Sequence, residues 1–368
     1  MICFEHICKS FRNVNVLNDI SFRIETGELV AIIGSSGCGK TTLLKMINKL
    51  ISPSSGSISI DETDILELPT TQLRRNMGYV IQQTGLFIHM TVGKNIGTIP
   101  MLQKEPKNQV KRRVCEMMEL VGLPPDDFYD RYPPQLSGGQ QQRVGVARAF
   151  VTNPDIILMD EPFSALDPLT RIQLQNELIH LHKKLKKTIV FVTHDIDEAL
   201  KIADRICILR DGRIEQYDTP EEILLHPKTD YVSSFIGNGR IWNFPYYLTA
   251  GNIMDPGILT CHPDTMLQSI PKPSPYNDIY VVDSRNRLMG IITASVYTEN
   301  IHRTAMEVMK TDFPIIRKDE KLISALSWIE QSSFAHIPVV DNNLPAGFIS
   351  QKSLMEAIIH HGEEASGI

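Results

Sequence analysis

The sequence predicts an α/β chain in two parts. A layered α/β domain occupies residues 1 to about 238, and two copies of a smaller module follow it. Three observations carry this prediction. Short apolar runs alternate with helical patterns through the first part, and several runs are continuous, as in strands buried on both faces. One of these runs, Leu29–Ile33, leads into the glycine-rich loop Gly34–Thr42 and then into helical spacing. Beyond residue 248 the pattern repeats with a period of about 55 residues.

Taken in order, Cys3, His6 and Cys8 sit in an apolar-alternating stretch, which reads as a strand rather than a metal site. Leu43, Leu44, Ile47 and Leu50 recur at helical spacing behind the glycine loop, and Val110, Val114, Met117 and Val121 mark a second, amphipathic helix. Ile156–Met159 and Thr188–Val192 are further buried strands. Asp211-Gly212 between Ile206–Leu209 and Ile214 reads as a hairpin turn. Residues 239–248, with Gly239, Trp242 and Pro245, read as a linker. The modules then take 249–303 and 304–363: Ile279–Asp283 matches Ile337–Asp341, and Gly290–Thr293 matches Gly347–Ser350.

Composition narrows the function. The 368 residues carry a net charge of −6, which gives no global attraction to nucleic acid. The basic run Lys111–Arg113 reads as a solvated helix face. Six scattered cysteines without a CxxC pair read as a reducing compartment, not a disulfide framework. The N-terminus has no charged-then-apolar leader pattern, and no run approaches the ~18–20 apolar residues that span a bilayer. The chain is expected to be soluble by itself, so any membrane pore it serves is another polypeptide.

The loop Gly34-Ser35-Ser36-Gly37-Cys38-Gly39-Lys40-Thr41 fits GxxxxGK[ST]. Its glycines let backbone N–H groups turn inward around a phosphate, and the following helix aims its positive end at the same anion. Lys40 can reach the β- and γ-phosphates, and the Thr41 hydroxyl can bind Mg²⁺. Asp160-Glu161 follows the buried run 156–159; Asp160 suits Mg²⁺ coordination, and Glu161 suits a general base that polarises water. His194, after the run 189–193, is expected near the γ-phosphate.

Leu136-Ser137-Gly138-Gly139-Gln140, then Gln141-Gln142-Arg143 and Ala147-Arg148-Ala149, lies upstream of the acidic pair. With that order of motifs, residues 1 to about 238 resemble the ABC ATPase family, which implies a P-loop NTPase fold with a helical subdomain. Phe11 is similar to the aromatic residue that stacks on adenine, where Tyr is commoner. Gln82, or its neighbour Gln83, is similar to the glutamine that senses Mg²⁺ and contacts the membrane partner. Ser164–Asp167 is similar to the loop that touches the opposite subunit. The resemblance implies two copies head to tail with two ATP molecules between them. Each ATP would be held by residues 34–42 of one copy and by Ser137, Gly139 and Gln140 of the other, with Asp167 near the junction. Gly85-Leu86-Phe87 and Met90-Thr91-Val92 resemble importer-type ATPases, which implies permease subunits, an extracytoplasmic solute-binding protein, and a peripheral place on the cytoplasmic face of the membrane.

The two modules resemble CBS domains. An ABC ATPase with such a tail resembles the subunits of quaternary-amine importers, for glycine betaine, choline, carnitine or a related zwitterion such as ergothioneine, and implies regulation by ionic strength or a nucleotide. This copy departs from the pattern. The first module is shorter, with Pro271–Pro275 where helix is expected, and Val296 and Ser353 replace the acidic residue that grips ribose. A purely dimerising tail therefore stands beside a sensing one. Three other readings remain: an importer ATPase for another small solute such as an amino acid, a non-transport ABC ATPase, and a nucleotide-binding module without turnover. Glu161 and His194 argue against the last. Finally, Cys38 beside Lys40 at a helix N-terminus is expected to have a lowered pKa and to be reactive, unless it is an inert small residue.

Overall fold

The computed structural model describes residues 1–12, 14–82, 85–164, 166–237, 240–244 (without the Trp242 side chain), 246–273, 278–322, 334, 336–350 and 353. Gln83, Ala165, Gly239, Pro245, Ser274, Pro275, and residues 323–333, 335, 351–352 and 354–368 lie outside them. The chain divides into two compact units, Met1–Ile236 and Gly237–Ile368.

The first unit holds two sheets. Strands β1 (Ile2–Phe11), β2 (Val14–Ile24), β4 (Ser55–Ile60) and β5 (Thr63–Asp64) form an antiparallel sheet in the order β2-β1-β4-β5. Cys3, His6 and Cys8 lie on β1, as expected. The second sheet orders β10 (Arg213–Asp218), β9 (Arg205–Arg210), β3 (Leu29–Gly34), β8 (Thr188–Val192), β7 (Ile156–Asp160) and β6 (Met77–Val80). All its neighbours are parallel except β10, which returns from β9. Every residue of β3, β7 and β8 is buried, which explains their unbroken apolar runs. Asp211 (φ 48°) and Gly212 (φ 74°) make the β9–β10 turn, and two positive φ values suit the twist of a two-residue hairpin.

Helix Lys40–Ile47 follows β3 and buries Leu43, Leu44 and Ile47. The expected continuation to Leu50 fails: Lys49 turns left-handed (φ 56°), and Leu50 is exposed. A helical layer between β6 and β7 includes Lys107–Leu120, which buries Val110, Val114 and Met117, and Gly138–Phe150.

The second unit carries two three-stranded sheets of one design. They are β11 (Leu259–Cys261), β12 (Ile279–Val282) and β13 (Leu288–Ile292), then β14 (Ile316–Arg317), β15 (His336–Asp341) and β16 (Leu344–Ser350). In each, the first pair is parallel and the second antiparallel. The cores, however, do not follow the sequence repeat. Ala250 and Ile253, from the first repeat, pack with Ile316, Ile337 and Ile349, whereas Ala305, from the second, packs with Cys261, Leu267 and Ile279. Backbone bonds mirror this exchange: Asp255 and Phe348 bond each other reciprocally, as do Lys310 and Ile291. Leu248, within the stretch expected as a linker, is buried in the first of these cores. The shortened first module has a 3-10 turn at Leu267–Ser269, and residues 271–273 take no regular structure, in keeping with their prolines.

Candidate functional site

The order β3-β8-β7 sets three strand ends side by side. In an open parallel sheet such ends form a ligand crevice. The loop 34–42 leaves β3, Asp160-Glu161 closes β7, and Thr193-His194 follows β8.

The loop's shape depends on its glycines. Gly34 has φ 149°, and a Cβ there would lie 2.1 Å from the Leu209 carbonyl oxygen; Gly39 has φ 103°, and a Cβ would lie 2.5 Å from Leu17 Cδ2. A side chain at either position would break the turn. Ser35, Ser36 and Gly37 are exposed, whereas Cys38, Gly39 and Lys40 are buried. Lys40 Nζ donates to the carbonyls of Gly34 (2.9 Å) and Ser35 (2.8 Å), so the loop curls around a buried cation that forms no ion pair with a carboxylate among the described residues. Thr41 and Thr42 are half-buried at the helix start.

Thr41 Oγ1 donates to Asp160 Oδ1 at 2.9 Å, and Lys45 Nζ stands 3.9 Å from the other carboxylate oxygen. Burial pushes the Asp160 carboxyl above its ordinary range, while the Thr41 hydroxyl and Lys45 pull the other way. Glu161 adopts a left-handed conformation (φ 46°), which costs about 1–2 kcal/mol for a residue with a Cβ. Its amide bonds the Val192 carbonyl, and its own carbonyl accepts the Ser164 hydroxyl. Gln82 Nε2 donates to Glu161 Oε2 at 2.8 Å, and His194 Nδ1 lies 3.7 Å from the same oxygen. Gln82, Glu161 and His194 are thus gathered on one atom. Oxygen donors from Thr41, Asp160 and Gln82 suit a hard cation that keeps part of its ligands as water or phosphate, so the set fits Mg²⁺.

The remaining candidates stand apart from this cluster. Phe11 is exposed at the end of β1, with Lys9 Nζ 4.8 Å from its ring centroid. Ser137 caps helix Gly138–Phe150: its hydroxyl accepts the Gln140 amide, and Gln140 Oε1 accepts the Ser137 amide. Among the described residues, no hydrogen bond joins Ser137, Gly139 or Gln140 to the loop 34–42. Asp167 caps helix Pro168–Leu185 through the Thr170 amide.

Cys38 reverses its expectation. The residue is 4 % exposed, and burial raises its thiol above the ordinary value despite Lys40 nearby. The helix-terminus argument fails because the thiol faces the core beneath the loop, among Leu17, Leu43 and Leu209. Sequence reading also missed several supports. Arg148 donates to the Gly85 carbonyl, anchoring the stretch after Gln82. Gln142, buried, donates to the Pro162 carbonyl beside the acidic pair. Thr193, Glu198 and Arg171 form a network under His194. An acid four residues after His194, in the first turn of helix Ile196–Ile202, was the available signal. In the tail, Ser353 bonds Ser350 in the position of the ribose-gripping acid.

The ABC transporter family model matches residues 17–164, and the CBS domain model matches 305–360. The carnitine transport ATP-binding protein OpuCA of Listeria monocytogenes is 42 % identical, across 97 % of this chain and 92 % of that one. The glycine betaine/carnitine/choline transport ATP-binding protein OpuCA of Bacillus subtilis is 43 % identical, across 97 % and 96 %. Among solved structures, the dimeric bacterial ABC transporter cassette MJ0796 aligns with a TM-score of 0.55 and 33 % identity, covering 60 % of this chain and 99 % of that one. A post-hydrolysis dimer of that cassette bound to ADP and Pi aligns with a TM-score of 0.55 and 32 % identity, covering 60 % and 99 %.

Proposed function

Since this chain belongs to the family of ABC transporter ATP-binding proteins, ATPases coupled to transport, we propose that its hydrolysis of ATP drives import of a quaternary amine such as glycine betaine, choline or carnitine. The observation that carries the solute class is likeness at 42–43 % identity along nearly the whole chain, tail included. Residues 1–238 are the ATPase domain, 239–248 the connection, and 249–303 with 304–363 a CBS-type tail whose lead segments are exchanged.

In this reading the backbone of Gly34–Thr42 cradles the phosphates of ATP, and Lys40 leaves its carbonyl partners for the β- and γ-phosphates. Phe11 stacks on the adenine. Thr41, Asp160 and Gln82 hold Mg²⁺, which supplies charge neutralisation at the phosphates. Glu161 takes a proton from the attacking water, and His194, on the same carboxylate, stabilises the γ-phosphate side. Ser137, Gly139 and Gln140 close the site from a second copy, with Asp167 beside them; the lack, among the described residues, of any hydrogen bond from them to the loop supports this reading. A permease and an extracytoplasmic solute-binding protein complete the importer, with this chain peripheral on the cytoplasmic face. The exposed apolar residues Phe87 and Ile88, just after Gln82, suit a permease helix. The tail offers a place for a regulatory nucleotide, held without the usual acidic grip.

The test is uptake of labelled glycine betaine, choline and carnitine by cells with and without this subunit. Loss of uptake of at least one amine, restored by the chain but not by Glu161→Gln, is the expected result. Unchanged uptake of all three, with another solute lost, would refute the solute class.

A further inference from the structure

The segment around His194 is fixed from beneath by groups that the reaction does not use. The Thr193 hydroxyl accepts the Asp195 amide at 3.0 Å, so its proton is directed elsewhere: Glu198 Oε2 lies 2.5 Å away. Glu198 is 5 % exposed, at the start of helix Ile196–Ile202. Thr193 and Asp195 flank His194, so this pair of bonds pins the backbone on both sides of a side chain that is itself 63 % exposed. From helix Pro168–Leu185, Arg171 approaches the same network. Its guanidinium lies 3.9 Å from Glu198 Oε1 and 3.7 Å from Asp195 Oδ2, and it donates to the Leu166 carbonyl at 3.4 Å. Leu166 precedes Asp167, in the loop expected to touch the second copy.

A buried carboxylate is costly unless its oxygens are engaged. Here one oxygen takes the Thr193 hydroxyl and the other faces Arg171. Burial raises the Glu198 carboxyl, and Asp195 adds to this, while Thr193 and Arg171 oppose it. A plain packing role would be met by an apolar side chain at lower cost. An acid whose two oxygens reach the loop before His194 and a cation bonded to the loop before Asp167 does more than fill space.

We propose that Glu198 is a positioning residue for His194, acting through the Thr193 hydroxyl, and that Arg171 links this support to the Leu166–Asp167 loop. Neither touches substrate. Closure of the dimer against that loop would thereby set the aim of His194. The inference rests on His194 acting in hydrolysis, as proposed above.

The experiment is a double-mutant cycle on the full-length subunit in its transporter complex, read by single-turnover hydrolysis of radiolabelled ATP. Thr193→Val is expected to lower the hydrolysis rate about tenfold with ATP affinity unchanged, and Thr193→Ser, which keeps the hydroxyl, to restore most of the rate. Glu198→Gln is expected to fall between them, because it keeps an acceptor but loses the charge facing Arg171. In a His194→Ala background, Thr193→Val should cost less than about twofold more, since groups that act as a unit are not additive. If His194→Ala alone leaves the rate intact, the role of His194 is refuted. If His194→Ala is slow and Thr193→Val still costs its full factor, or if Thr193→Val weakens ATP binding and leaves the rate unchanged, the positioning inference is refuted.

Discussion

Lys40 shows how one residue is prepared for its work. A buried ammonium held by the Gly34 and Ser35 carbonyls and the Cys38 sulfur forms, among the described residues, no ion pair with a carboxylate. Replacing those two neutral bonds with bonds to phosphate turns a tolerated burial into a favourable one. Lys40→Ala should weaken ATP affinity by about 10–100-fold, since a charge-assisted bond contributes roughly 1.5–3 kcal/mol; titration with a fluorescent ATP analogue measures it. Cys38 carries the opposite lesson. Motif position suggested an activated thiol, but the side chain turns inward and burial raises its pKa. Under native conditions a maleimide should label the half-buried Cys3, Cys8 and Cys115 before Cys38, as read by mass spectrometry of the digested protein. Labelling of Cys38 first would restore the reactive reading. Asp160, Glu161 and His194 were legible as groups at or just past the ends of visibly buried runs, and the structure sets those strand ends side by side. Sequence could not say which way a small side chain within a loop would face, because that depends on Leu17, Leu43 and Leu209, from three other elements.

At the scale of elements, β3, β7 and β8 were legible as unbroken apolar runs, yet their spatial order was not. That order explains the site: β8 lies between β3 and β7, so residues 34–42, 160–161 and 193–194 emerge together. Helix Gly138–Phe150 opens on a reciprocal cap, in which Ser137 and Gln140 satisfy each other's backbone amides. Ser137→Ala should remove this cap and destabilise the first unit by about 1 kcal/mol, measurable by urea denaturation. Helix Lys40–Ile47 was overextended from spacing alone, because the apolar Leu50 matched the period while Lys49 had already turned the chain. In the tail, Ile270, just before Pro271, is held by Tyr297, whose buried hydroxyl donates to the Ile270 carbonyl at 2.9 Å. Tyr297→Phe should cost the tail about 1–2 kcal/mol, by leaving that carbonyl unpaired.

For the molecule as a whole, the repeat was readable but its partition was not. Sequence spacing cuts the tail between residues 303 and 304, whereas the cores exchange the segments that open each repeat. Neither module can then fold alone with a complete core, and the tail should melt as one cooperative unit. The repeat also sets Asp278 against His336, at equivalent positions of the two modules, as a buried pair 3.4 Å apart. The catalytic half presents a different incompleteness. Its phosphate loop, acidic pair and His194 gather at the carboxyl ends of three neighbouring strands, while among the described residues no hydrogen bond joins Ser137, Gly139 or Gln140 to the loop. In the proposed mechanism a second copy supplies those residues. Analytical ultracentrifugation of the full-length Glu161→Gln variant reads this assembly. Saturating ATP and Mg²⁺ should convert monomer to dimer, ADP should not, and a further Ser137→Arg change should abolish the dimer. A variant that binds ATP fully yet sediments as a monomer would contradict the account.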